Sequence, residues 1–289
     1  MVLNVIIPVF FVIIVSFIFG KLKKISLDPL VSLSVYLTIP ALVFTSMVQN
    51  EFILSDFLHL FSSAAVVILG AGLILYFVFK ARKFKQRGMY LPIMFMNTAN
   101  IGFPVALFAF GDGGLSRAIL YSATVSLIIF SLGVYIAAKK THFQEIFKLP
   151  LIYAVVLGII FAVYKIPVPE AIFKPIHLLG QAAIPLQLII LGIRLSSVKI
   201  HHYKTAITAA LSRFALGFLI SILYVIILGI TGITRNIIIL QSTMPAALFS
   251  IILSEKYKRD QHIVASTVFI STVLAIITIP LILKFLSLL

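Results

Sequence analysis

The sequence predicts an all-α membrane protein in which ten transmembrane helices form two inverted five-helix repeats. Three observations predict it. The 289 residues are 62% hydrophobic and only 11% charged, with a mean hydropathy of +1.20, whereas soluble chains lie nearer half apolar and a quarter charged. Apolar stretches long enough to cross a bilayer recur along the whole chain. Short matches link the second half of the chain to the first at a nearly constant offset.

The spans come first. A membrane-crossing helix needs roughly 20 apolar residues. The pattern places spans at about 2–20, 29–48, 57–79, 89–110, 116–138, 149–164, 176–195, 205–230, 234–253 and 262–283. The first reads as a retained helix, because Lys21, Lys23 and Lys24 follow the apolar stretch, whereas a signal peptide carries its positive charge in front. The sixth is short, and its inner end is expected to extend into Phe147 and Lys148.

Loop charge then sets orientation, since basic residues accumulate on the cytoplasmic side. The loops joining odd to even spans hold Lys21, Lys23, Lys24, Lys80, Arg82, Lys83, Lys85, Arg87, Lys139, Lys140, Lys148, Arg194, Lys199, Lys204, Lys256, Lys258 and Arg259. The other side holds Arg117, Lys165, Lys174, Arg235 and Lys284. Both termini are therefore expected outside the cell membrane. The net charge of +15 is a property of inner loops. The expected surroundings are a lipid bilayer, with no nucleic acid among the partners. Cysteine is absent, which removes disulfides and thiol chemistry.

The repeat is read from three matches. Leu33 to Pro40 and Leu178 to Pro185 both end in Ile-Pro, at an offset of 145. Pro104-Val-Ala-Leu-Phe108 matches Pro245-Ala-Ala-Leu-Phe249 at 141, and Ala123-Thr-Val125 matches Ser266-Thr-Val268 at 143. Five helices per half is an odd number, so the halves, 1–141 and 142–289, face opposite ways across the membrane. Carriers with inverted repeats bind substrate near the midplane on interrupted helices.

Two spans carry the marks of interruption. The fourth contains Asn97, Thr98, Asn100, Gly102 and Pro104; the ninth contains Gln241, Ser242, Thr243 and Pro245. Proline lacks an N–H and clashes with the preceding turn. A helix broken in lipid must bury its freed backbone groups in protein or face a water-filled cavity. Aligned on the prolines, Asn100 falls on Gln241, so each half sets a side-chain amide four residues before a proline. Two crossing breaks would bring half-helix N-termini, with their partial positive charge, to a neutral donor-rich site suited to a carboxylate.

Other polar residues in the spans are weighed against simple bridging between helices. Thr38, Gln181 and Gln187 read as bridges; Ser122, Thr124, Thr267 and Ser271 lie on helices expected to neighbour the crossover. Arg213 is the one charge inside a span. It reads either as snorkelling to the inner surface or as a counter-ion for an anionic substrate or inner gate. The binding set is thus Asn97, Asn100, Gly102, Pro104, Gln241, Ser242, Thr243, Pro245, Thr124, Thr267 and Arg213. No metal or cofactor is expected. Nor is an enzyme, since no His-Glu-x-x-His or Walker motif occurs and the spans hold no acid.

The stretch Asn97-Thr-Ala-Asn-Ile-Gly-Phe-Pro104, the ten spans, the outside termini and Thr-Ile-Pro-Ala-Leu at 38–42 resemble the auxin efflux carrier family. That family joins plant carriers to prokaryotic organic-acid permeases and shares the architecture of bile-acid symporters and proton antiporters. The resemblance covers the whole chain, which lacks the long central cytoplasmic loop of many plant members. It implies crossing fourth and ninth helices that bind a substrate carboxylate, with the family amide mapping onto Asn100 and Asn97 beside it. The usual Asn of the ninth helix is here Gln241, which leaves room for a changed site size. It implies a scaffold of spans 1, 2, 6 and 7, a moving unit of spans 3–5 and 8–10, and a homodimer. The expected function is secondary transport of a small organic anion, an auxin-like acid or a dicarboxylate, by export or uniport. The alternatives are a sodium- or proton-coupled symporter of organic acids and a lipid or ligand sensor.

Overall fold

The structure, a computed structural model, describes residues 2–50, 53–138 and 149–289. The expectations placed on Glu51, Lys139, Lys140, His142, Glu145, Phe147, Lys148 and the boundary at 141/142 lie outside the described residues. Among the described residues no strand forms; all regular structure is helical.

The chain opens with α1 (Val2–Leu22). Next come α2 (Asp28–Leu33) and α3 (Ile39–Gln49), joined by a π-helical turn over Ser34–Thr38. The wide turn follows from Pro40, whose ring clashes with a regular preceding turn. Ile39 N–H accordingly donates five residues back, to Ser34 O. α4 runs through Leu54–Ala81. The segment expected as one fourth span is divided between the short α5 (Tyr90–Met94) and the start of α6 (Gly102–Ile128). α6 bends at Gly111, where φ is +66°, and continues through a π turn at Ile129–Gly133 into α7 (Val134–Ala138).

α8 (Pro150–Val163) begins the second half. α9 (Glu170–Gln181) and α10 (Ala183–Ser196) meet just before Pro185, as α2 and α3 do before Pro40. α11 (Tyr203–Ile227) precedes the interrupted pair α12 (Gly232–Ser242) and α13 (Phe249–Lys256). α14 (Gln261–Leu286) closes the chain. By length and composition, seven helices among the described residues can cross a membrane, and α8 is apolar but shorter.

Two packing groups stand out. α1 lies along α10, and α3 lies against α8 and α9. α4 packs on α6, α11 packs on α14, and α6 also meets α12. Lipid offers helices no hydrophobic reason to associate, so close van der Waals fit carries the contact. At Gly192 of α10 a Cβ would come 2.5 Å from Ile13 O of α1, so only glycine permits that approach. The outer faces are apolar: Ile7, Phe11, Ile14 and Ile18 of α1, and Leu69, Leu73 and Phe77 of α4, are all exposed. An apolar girdle of this extent belongs in a bilayer.

Candidate functional site

The two interruptions meet at the centre of the molecule. After α5, Phe95, Met96 and Asn97 are extended; after α12, so are the residues around Ala246, and Met96 and Ala246 form an isolated antiparallel bridge. Asn97 N–H donates to Pro245 O at 2.7 Å, and Ala247 N–H donates to Phe95 O at 3.0 Å. Ala246 N–H reaches Ser271 Oγ at 3.1 Å. Backbone groups released by the breaks are thus satisfied by each other and by α14, as burial without water requires.

This pairing corrects the register read from the prolines. The antiparallel pairing sets Phe95 opposite Ala247 and Asn97 opposite Pro245. The breaks follow Met94 and Ser242 and end before Gly102 and Phe249, offsets of 148 and 147 rather than 141, so Asn100 and Gln241 are not counterparts. A proline ring blocks the helix at the carbonyl four residues earlier, here Asn100 and Gln241. The chain uses the block in two ways. Pro104 sits in the first turn of α6, where a missing N–H costs little, and the break lies upstream at 95–101. Pro245 sits within the break itself, which runs from Thr243 to Leu248.

A cavity of about 200 Å³ lies against the crossover. Met96, Asn97, Thr98, Ala99, Asn100 and Phe103 line it from the first break and the start of α6. Ala247, Leu248 and Phe249 line it from the second break and the start of α13. The far wall comes from Val31, Ser34, Leu149, Pro150, Leu151, Gln187 and Ile190, and Ser122, Ser126, Ile129 and Phe130 complete it. Among the described residues no charged side chain lines it. Two half-helix N-termini therefore face one cavity whose described lining is neutral.

Of the expected binding residues, Asn97 and Asn100 line this cavity. Asn100 Nδ2 donates to Gln187 O at 3.1 Å, and Gln187 Nε2 donates to Ser34 Oγ at 2.6 Å. Asn97 Oδ1 accepts the Asn100 N–H at 3.2 Å. Asn97 Nδ2 is buried and has no hydrogen-bond partner among the described residues. Gln187, read from sequence as a structural bridge, is both a bridge and a wall of the cavity; Ser34 and Ser126 carried no signal at all. Thr98 Oγ1 and Ser122 Oγ are paired at 2.8 Å.

The other expected residues stand behind the cavity. Gln241 is fully buried with both amide atoms unpaired among the described residues, and its side chain rests on Gly102, where a Cβ would lie 2.3 Å from Gln241 Oε1. Ser242 Oγ pairs with the buried Tyr121 hydroxyl at 2.8 Å. The hydroxyls of Thr243 and Thr267 bond back to their own helices at Ile239 O and Ile263 O. Thr124 Oγ1 is buried and has no partner among the described residues. Pro104 and Pro245 shape the breaks without lining the space.

Arg213 does not snorkel. It is wholly buried, with Nη1 donating to Ile93 O and Met94 O at 2.7 Å each and Nη2 donating to Ser242 O at 2.9 Å. Those carbonyls end α5 and α12. No carboxylate lies within ion-pair distance of it among the described residues. Gly217, one turn along α11, allows this arrangement: a Cβ there would lie 2.0 Å from Ser242 O and 2.3 Å from Arg213 Nη2.

Ion pairs mark the two ends of the bundle. Near the starts of α4, the post-Gly111 part of α6 and α12, Arg117 pairs with Asp56, and Thr234 Oγ1 donates to Asp56 Oδ1 at 2.7 Å. At the opposite end, Arg194 of α10 pairs with Glu255 of α13.

Comparison with known proteins points to membrane transport. Residues 136–283 match the family model described as membrane transport protein. An uncharacterized transporter of Methanocaldococcus jannaschii is 28% identical over 282 residues, 92% of each chain. An uncharacterized transporter of Methanothermobacter thermautotrophicus is 28% identical over 254 residues, 84% of this chain and 83% of that one.

Proposed function

The chain belongs to the membrane transport protein family, the auxin efflux carriers that its motifs resemble, and on that premise we propose that it carries a small organic anion across the membrane by alternating access. The family is one of transporters rather than enzymes. One observation carries the choice of substrate: the N-termini of α6 and α13 converge on a cavity that, among the described residues, is lined by no acid and by one unpartnered amide donor, Asn97 Nδ2. Half-helix N-termini carry roughly half a positive charge each and attract carboxylates. The cavity, at about 200 Å³, is smaller than the ~300–1,000 Å³ typical of drug-sized ligands. A small acid suits it.

The architecture proposed is ten spans in two inverted repeats, 1–141 and 142–289. The pairing of α1 with α10 has its counterpart in α8 with α3, and α4 with α6 has its counterpart in α11 with α14. These are the pairs an inverted five-helix repeat exchanges. Spans 1, 2, 6 and 7 (α1, α2–α3, α8 and α9–α10) form the scaffold, through which two copies associate. The remaining spans move. The cavity lies between the two units, with Ser34 and Gln187 on the scaffold and Asn97 on the moving crossover. Its lining at Val31, Leu149 and Ile252 belongs to the span ends nearest the basic loops, which supports an inward-facing state with termini outside the cell membrane.

Coupling follows from what the core lacks. Among the described residues no carboxylate lines the cavity, so proton or sodium exchange finds no charged ligand among them. An inside-negative potential favours anion exit by ~2.3 kcal/mol per charge per 100 mV. The reading is uniport or export. Purified protein in proteoliposomes should show saturable counterflow of small carboxylates such as malonate or indole-3-acetate. Absence of flux for every acid in such a panel would refute it.

A further inference from the structure

Four half-helix ends meet at the crossover, and the chain treats the two kinds differently. The positive ends, at the starts of α6 and α13, face the cavity. The negative ends, at the close of α5 and α12, face Arg213, whose guanidinium takes three carbonyls, Ile93 O, Met94 O and Ser242 O. Half-helix C-termini and unwound carbonyls are where carriers with broken helices coordinate a coupling cation. A carbonyl cluster in lipid with nothing positive against it would be a strong cation trap.

We infer that Arg213 is a resident cation that fills this carbonyl site permanently and so frees transport from an exchangeable one. The inference rests on the carrier reading above. Arg213 lies on α11, within the unit proposed to move, so its charge travels with the crossover and is never released. It also explains why an arginine with no carboxylate partner among the described residues sits wholly buried in a span, where a lone charge is expensive. Its role toward substrate is positional: it does not line the cavity. It holds both half-helices by their C-terminal carbonyls and keeps the crossover net positive for an anion. The fixed geometry is built in, because Gly217 lets Ser242 O press against α11 beside the guanidinium.

The test compares wild type, Arg213→Lys and Arg213→Ala as full-length purified protein. Binding of malonate and indole-3-acetate is measured calorimetrically in choline chloride, sodium chloride and low-millimolar guanidinium chloride. Wild type should bind equally in all three, and Arg213→Lys should stay independent of sodium. Arg213→Ala should bind about tenfold or more weakly in choline and recover with guanidinium, the acid tightening guanidinium in return by the same factor. Sodium-dependent binding by wild type would overturn the inference. So would Arg213→Ala binding normally in choline, or guanidinium restoring its thermal stability but not its affinity, which would mark a merely structural latch. If Arg213→Ala does not fold, wild type and Arg213→Lys decide, and ion-dependent binding by either sinks the idea. Failure of every acid to bind wild type would refute the substrate class instead. The resident cation would then stand or fall on whether guanidinium protects Arg213→Ala, and not wild type, against heat.

Discussion

Asn97→Ala should separate binding from stability, and the structure fixes how far. Among the described residues Asn97 makes one side-chain hydrogen bond, accepting the Asn100 N–H at 3.2 Å. Losing it costs about 0.5–1.5 kcal/mol. Its Nδ2 is buried without a partner, and an unpaired buried donor carries a penalty of about 1–3 kcal/mol that the substitution removes. The two effects oppose each other, so the melting temperature should barely move. With a carboxylate bound, the same Nδ2 donates to a charged acceptor, worth about 1.5–3 kcal/mol. Its loss should weaken binding roughly 10- to 150-fold. Asn100→Ala should behave in the opposite way. Its Nδ2 is already spent on Gln187 O at 3.1 Å, tying the first break to α10, so the change should lower stability by about 0.5–1.5 kcal/mol. Thermal melts without ligand and calorimetric titration with indole-3-acetate measure both quantities. Wild-type affinity in Asn97→Ala would refute the assignment of that donor to the substrate.

Three further outcomes follow from the same contacts. Gly217→Ala drives a Cβ into Ser242 O at 2.0 Å and should cost at least the ~1–3 kcal/mol of an overpacked core; an unchanged melting temperature would show that α11 and α12 are less tightly opposed. Asp56→Asn leaves the Arg117 guanidinium, 17% exposed, without its carboxylate. That should destabilise by about 1–3 kcal/mol, less than the 3–5 of a wholly buried pair; a charge-swapped double variant should recover part of the loss in a thermal melt. Gln241→Leu removes two unpaired buried amide atoms from the contact with Gly102 and should stabilise by about 1–3 kcal/mol with carboxylate affinity intact. Weakened binding would bring Gln241 into the site.

The sequence announces the breaks clearly and their geometry poorly. Asn97, Asn100, Gly102 and the two prolines are costly in a membrane helix, so their presence alone locates both interruptions. The register fails because proline constrains only the residues before it. Pro104 is tolerated in the first turn of α6, and Pro245 inside an extended segment, and both satisfy the same local rule. Nothing local distinguishes them; the backbone pairing of Asn97 with Pro245 does. Arg213 stands out as a charge in a span, yet its partners are carbonyls, which every residue possesses and no sequence pattern marks. Ser34 and Gln187 become walls of the cavity only because α2 and α10 come to face the crossover. The Ile-Pro pairs at Pro40 and Pro185 were the most legible feature, since each marks a place where the helix restarts.

The unequal breaks also narrow the substrate. The first lies upstream of its proline and presents Asn97, Thr98 and Asn100 to the cavity; the second contains its proline and presents Ala247, Leu248 and Phe249. One half therefore supplies hydrogen-bond donors and the other an apolar wall, which Phe130 and Ile252 extend. Such a site has a single polar pole. A monocarboxylate can place its charge at Asn97 and its body against Leu248 and Phe249. A dicarboxylate of the same length must set its second charge on apolar surface. An unpaired ion in apolar surroundings costs several kcal/mol even after relaxation, whereas burying each CH₂ yields about 0.8 kcal/mol. Sign and size both favour the monocarboxylate. In counterflow competition, a short-chain monocarboxylate should displace labelled substrate at lower concentration than the dicarboxylate with the same number of carbons. Leu248→Lys should reverse the order by giving the second carboxylate a partner. Tighter binding of the dicarboxylate to wild type would show that the crossover holds a second pole that the apolar lining conceals.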